Sequence, residues 1–212
     1  MNYSEIVTAA QSYCDRHDEG MEETIPAFMR VVESKINTAL KTGAQSVRSQ
    51  IYLEADVSYY GLPNDWAGFR DVERIKPGQV EGTTLNYLAP EAMSKVNREY
   101  GSARQHTYYT VIANQIRVAA PAVGADEILE VVYYQRVPQM TEDSQTTWLS
   151  ENAPDAYIFG LCAEISIFAK DETSFMGYDS RFKESLAQIT QDDQITQWSG
   201  PSLQVQVEGP VV

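Results

Sequence analysis

An α+β fold is predicted: a helical core of about four helices, a small inserted antiparallel β-sheet or meander, and an extended C-terminal tail. Three observations carry it. Between Asp155 and Lys170 the only formally charged side chain is Glu164, so this stretch reads as a helix inside a core. Amphipathic helical spacing occupies the N-terminal residues up to Gly43 and returns after Lys170. From Ala44 to Gln135 the apolar period shortens to that of strands. The expected organisation is an N-terminal helical hairpin at 1–43, an inserted β region with one short helix at 44–138, C-terminal helices completing the core at 139–198, and a tail at 199–212.

Taking the chain in order, Asn2 followed by Glu5 has the form of a capping box, and Tyr3, Ile6, Val7, Ala10, Tyr13 and Cys14 continue at helical spacing. Thr24 is the expected cap of a second helix with Pro26 in its first turn; Phe28, Met29, Val32, Ile36, Ala39 and Leu40 form one face, stopped at Thr42–Gly43. Two amphipathic helices joined by a short polar link predict an antiparallel hairpin. The strand segments that follow, 49–59, 69–76, 83–88, 107–120 and 127–137, are rich in β-branched and aromatic residues. Turns are expected at Lys76–Gly78, Ala113–Gln115 and Val123–Ala125, with Asn114 as the left-handed residue of the hairpin. Pro90, Ala92, Met93 and Val96 mark the short helix, ending before Gly101.

In the central helix Asn152 is the expected N-cap. Tyr157, Ile158, Leu161, Cys162, Ile165, Phe168 and Ala169 give an arc broad enough for at least two packing partners. Glu164 is expected either on its one solvated strip, the favoured reading, or paired, because a buried unpaired carboxylate is costly. Each large side chain buried here contributes roughly 1.5 to 3 kcal/mol, so the rest of the fold should condense on this helix. A last helix carries Phe175, Met176, Phe182, Leu186 and Ile189, with a break expected near Gly177. In the tail, Leu203, Val205 and Val207 alternate with Gln204, Gln206 and Glu208, a strand pattern with no second strand beside it in sequence.

The chain has 212 residues and a net charge of −14, which argues against gripping nucleic acid through its phosphates. Residues 1–20 show neither a basic nor an apolar signal region, so synthesis in a cytoplasm without secretion is expected, and no segment is apolar enough to span a membrane. Cys14 and Cys162 fall at apolar helix positions and read as two reduced core thiols. The densest set of potential metal ligands, Asp15, His17, Asp18, Glu19, Glu22 and Glu23, matches no metal-binding spacing and reads as a solvated loop. His106 has no nucleophile motif to serve, and neither a phosphate-binding loop nor a CxxC is present. No catalytic residue, metal or cofactor is expected. The chain's 13 tyrosines include the adjacent pairs Tyr59–Tyr60, Tyr108–Tyr109 and Tyr133–Tyr134. Neighbours on a strand point to opposite faces, so one of each pair is available to a partner; Tyr60, Tyr109 and Tyr134 are the candidates for a subunit interface.

The order of motifs resembles the adaptor, or head-to-tail connector, proteins of tailed bacteriophages. The resemblance is carried by Ile25–Phe28 with Val32–Glu33, then Tyr60–Trp66, Leu85–Glu91 and Tyr109–Val118. It continues through Val132–Tyr134, Val137–Pro138, Thr147–Leu149 and Ala153–Tyr157, covering roughly residues 3 to 193. It implies a helical core with a β insertion in the virion neck. There the chain would form a homo-oligomeric ring, commonly a dodecamer, docked under the portal protein, with tail or nozzle proteins attached below. It also implies that genomic DNA passes through the channel during ejection without specific binding. In related connectors the C-terminal segment reaches the portal, which would make Leu203, Val205 and Val207 portal-binding residues. Two other classes remain open: a small metal-dependent hydrolase using the Asp15–Glu23 cluster, and a receptor- or carbohydrate-binding tail component using the tyrosines.

Overall fold

The computed structural model describes residues 1–16, 20–79, 81–100, 107–119, 121–122 and 126–197. The fold is α+β and divides into two compact units: Met1–Gly43 with Gln139–Val212, and Ala44–Pro138. The predicted tail strand at Leu203, Val205 and Val207, the Val123–Ala125 turn, His17, Asp18, Glu19 and His106 lie outside the described residues.

The first unit is helical. Helix α1, Tyr3–Cys14, starts at the expected capping box: the Asn2 side chain accepts from the Glu5 N–H while the Glu5 carboxylate accepts from the Asn2 N–H. Helix α2, Ile25–Ala39, has Pro26 in its first turn, but Thr24 gives no side-chain cap; its hydroxyl donates back to the Met21 carbonyl. A short helix α4, Trp148–Asn152, precedes α5, Pro154–Phe168. Asn152 is therefore not the cap of the central helix. It closes α4, donating to the Trp148 carbonyl, and Ala153 takes the N-cap position. Helix α6, Glu172–Gln197, runs through Gly177 without the expected break, because a single glycine costs a helix only about 1 kcal/mol.

Helix α5 is the hub, packing against α1, α2 and α6. Helices α1 and α2 each pack chiefly against α5. Gly160 is the point of closest approach. A Cβ there would stand 2.6 Å from Val32 Cγ1 of α2 and 3.2 Å from Phe182 Cε2 of α6. Glu164 is not on a free strip: Lys35 Nζ of α2 pairs with it at 2.5 Å.

Among its described residues the second unit holds eight strands, β1 Ser46–Leu53, β2 Tyr59–Gly61, β3 Trp66–Ile75, β4 Thr83–Thr84, β5 Asn86–Tyr87, β6 Tyr108–Ile112, β7 Gln115–Val118 and β8 Glu127–Gln135, with helix α3 at Pro90–Tyr100. They form two four-stranded sheets, ordered β1-β8-β3-β4 and β2-β7-β6-β5. This is no meander. The last strand, β8, lies between β1 and β3, antiparallel to both, and β5 pairs with β6 in parallel. The β6–β7 hairpin forms as expected, but the left-handed residue is Ala113, at φ 54°, rather than Asn114. The core of this unit gathers Leu53, Tyr60, Leu62, Val72, Leu85, Ile116, Val118, Ala122, Leu129, Val131 and Tyr133.

Candidate functional site

Strand alternation sorts the tyrosines. On β8, Glu127, Leu129, Val131 and Tyr133 point inward, so Ile128, Glu130, Val132 and Tyr134 share the opposite face. Across the ladder that face continues on β1, where Tyr134 lies opposite Ser46, Val132 opposite Arg48, Glu130 opposite Gln50 and Ile128 opposite Tyr52. Arg48 pairs with Glu130, and this ion pair holds the Glu130 carboxyl below its ordinary value. Tyr52 stands 68% exposed at one end of the row and Tyr134 half-buried at the other. A sheet face with aromatic ends and a polar centre suits contact with another protein.

The other candidate tyrosines are not on that face. Tyr60 is packed in the core of its own unit. Its hydroxyl accepts from the Glu54 N–H and lies 3.0 Å from the Val57 carbonyl, and burial pushes its phenol up. That leaves Tyr59, with the Arg117 guanidinium 5.3 Å from its ring centre, as the exposed member of the pair. Tyr109 is half-buried in a row of rings running from Trp66 through Phe69 and Tyr109 to Tyr87, with successive centroids 5.4, 5.5 and 5.8 Å apart. Burial raises its phenol as well, and Tyr87 at the end of the row is exposed. Tyr52, Tyr59 and Tyr87 are thus the exposed residues that sequence reasoning passed over. Period two shows that neighbours part to opposite faces, but not which neighbour goes inward.

The helical unit carries a second apolar surface. Phe28 of α2 and Phe168 of α5 are in ring contact at 5.7 Å, flanked by exposed Val31 and Ile167. A shallow cleft of about 310 Å³, lined by Ile167, Lys170 and Phe175 among others, adjoins it. Phe168 fits the apolar arc of α5 in sequence, yet the last turn of that helix runs beyond the bundle's interior, leaving the ring 53% exposed.

Two buried titratable groups of the helical unit are held by hydrogen bonds to groups that do not titrate. Glu33 is buried and accepts from the Met140 N–H at 2.6 Å, and burial lifts its carboxyl to about 7. The fully buried Tyr157 hydroxyl lies 3.3 Å from Thr147 Oγ1, and burial pushes its phenol up to about 12. Thr147 in turn caps α4 by accepting from the Ser150 N–H. These bonds fasten the 139–147 segment and α4 to the bundle. Among the described residues no three His, Cys, Asp or Glu side chains come together as a metal site. Asp15, from the acidic run, serves as the left-handed C-cap of α1. Among the described residues no helix is long and apolar enough to cross a membrane.

Exposed aromatic faces with polar borders of this kind suit contacts with other proteins. A family model described as SU10 adaptor protein matches residues 1–205, and the chain belongs to that family, a phage head–tail adaptor family. No curated protein matches the chain.

Proposed function

We propose that this chain is the ring-forming adaptor of a phage neck. Copies assemble side by side, in a ring of twelve, beneath the portal protein, extend its DNA channel and present a platform for tail or nozzle proteins. The observation that carries this reading is the family match over residues 1–205. No bond is made or broken in this role. The mechanism is complementarity between neighbouring copies, for which the Tyr52–Tyr134 sheet face, the Tyr109 row and the Phe28–Phe168 surface offer aromatic area with polar borders. The net charge of −14 suits a channel through which DNA must slide, because like charge keeps phosphates from adhering.

The alternating segment Leu203, Val205 and Val207 fits strand addition to a sheet edge of the portal. Deleting residues 200–212 should leave the helical and sheet units folded and reduce co-sedimentation with portal rings at least tenfold. Undiminished co-sedimentation of the truncated chain would remove the portal-binding role from this segment.

A further inference from the structure

The chain's only two cysteines, 148 positions apart in sequence, lie against each other in the helical unit. Cys14 is the last residue of α1 and Cys162 sits in the middle of α5. Cys14 Sγ donates to the Cys162 carbonyl at 3.9 Å, and Cys162 Sγ donates to the Ala10 carbonyl, one turn earlier in α1, at 3.6 Å. Both are free. Their surroundings differ in a way that assigns them different roles. Cys162 is fully buried, whereas Cys14 is half-buried and lines a polar cleft of about 170 Å³ with Arg16, Asp171, Ser174 and Tyr178.

We propose that Cys14 and Cys162 are an oxidisable pair, with Cys14 the attacking and Cys162 the resolving thiol toward a small-molecule disulfide entering this cleft. Cys14 thiolate attacks one sulfur of the small disulfide; the Cys14–sulfur bond forms, the original disulfide bond breaks, and one small thiolate leaves and takes up a proton. Cys162 then loses its proton and attacks Cys14 sulfur. The internal disulfide forms, the mixed disulfide breaks, and a second small thiol leaves. Two protein thiols are oxidised and one small disulfide is reduced to two thiols.

The electrostatics agree with this division. The neighbouring Cys162 thiol, and then Arg16 and Tyr178, hold the Cys14 thiol below its ordinary value against the effect of burial; the neighbouring Cys14 and burial push Cys162 up. The bond would tie α1, from the start of the chain, to α5, beyond the inserted sheet unit. It closes a long loop, the geometry in which a cross-link constrains the unfolded chain most. On the adaptor reading above, the protein is made in a reducing cytoplasm and persists in particles released to an oxidising medium. The pair would then be open during assembly and closed in the released virion.

The test uses the full chain with glutathione disulfide at neutral pH under native conditions, followed by thiol titration and intact mass. Both thiols should disappear together, with loss of the mass of two hydrogens, full reversal by dithiothreitol, and a rise in the melting temperature of roughly 5 to 10 °C. Cys162→Ala should instead accumulate a glutathione adduct on Cys14, and Cys14→Ala should stay unmodified. Should either variant fail to fold, peptide mapping of the oxidised wild-type chain decides, by whether the Cys14 and Cys162 peptides are cross-linked. A stable Cys14 adduct in the wild-type chain with Cys162 still reduced, or no reaction, overturns the proposal. The experiment needs no portal, so it fails or succeeds independently of the adaptor reading.

Discussion

The helical and sheet units solve the same problem with different chemistry. In the helical unit, α5 contributes Ala156, Tyr157, Gly160, Leu161, Cys162, Ala163 and Ile165 to an interior with few charges, and close approach at Gly160 sets the fit. In the sheet unit the core contains a buried ion pair, Arg74 of β3 with Glu127 of β8, 2% and 7% exposed, and the Arg74 guanidinium also donates to the Pro121 carbonyl. Three further buried polar atoms of that unit, Trp66 Nε1, Thr110 Oγ1 and Arg117 Nε, have no hydrogen-bond partner among the described residues. The helical interior thus depends on close fit, whereas the sheet unit also encloses a charge pair that must stay matched beside its apolar core. The lesson is that the two units differ in how their interiors are built rather than in what they expose, since Tyr52, Tyr59 and Tyr87 stand out on one and Val31, Ile167 and Phe168 on the other.

The comparison breaks most readily at the ion pair. Arg74→Met leaves Glu127 buried without its guanidinium and should destabilise the sheet unit by about 3 to 5 kcal/mol in urea unfolding. Arg74→Met combined with Glu127→Leu should recover most of that loss. A cost below about 1 kcal/mol for the single substitution would mean that charge pairing does not hold this unit.

A smaller effect sharpens the claim about shape. Gly160→Ala would ordinarily favour a helix by about 1 kcal/mol. Here the new methyl meets Val32 and Phe182, so the helical unit should lose about 1 to 3 kcal/mol. A gain in thermal stability would show that α2 and α6 yield, and that the fit at this point is loose.

The smallest expected effect concerns the exception within the helical unit, Glu33. Its carboxyl is raised from 4.5 to about 7 by burial, so the folded state favours the protonated form. Its stabilising contribution is complete below about 4.5, the unfolded value, and is lost as pH rises through 7. Glu33→Gln keeps an acceptor for the Met140 N–H without the charge. It should therefore match the wild type at pH 4.5 and exceed it at pH 8 by roughly 1 to 2 kcal/mol, read from denaturant midpoints. Equal stability at both pH values would mean that the carboxyl ionises in the folded chain without cost.

Much of this architecture was legible from local pattern, because the signals that start and end its elements lie within a few residues of one another. The Asn2–Glu5 capping box, Pro90 opening α3 and the β6–β7 hairpin are of this kind. What escaped was decided by partners remote in sequence. Strand β1 pairs with β8, placing Ser46 beside Tyr134, and no local period reports that. Glu164 was expected on a solvated strip or paired, and its partner, Lys35, reaches it from another helix. Asn152 had the composition of a cap, but α4 took it up one residue earlier. For the candidate surfaces, alternation said only that one tyrosine of each pair turns outward; Tyr134 and Tyr59 are the ones that do, since which face becomes core depends on the second sheet closing over it.

Electron microscopy of the purified chain incubated with portal rings tests the central claim most directly. An added annulus of twelve copies is expected under each portal, continuing its channel. Portals that remain bare at saturating concentrations of a folded chain would contradict it.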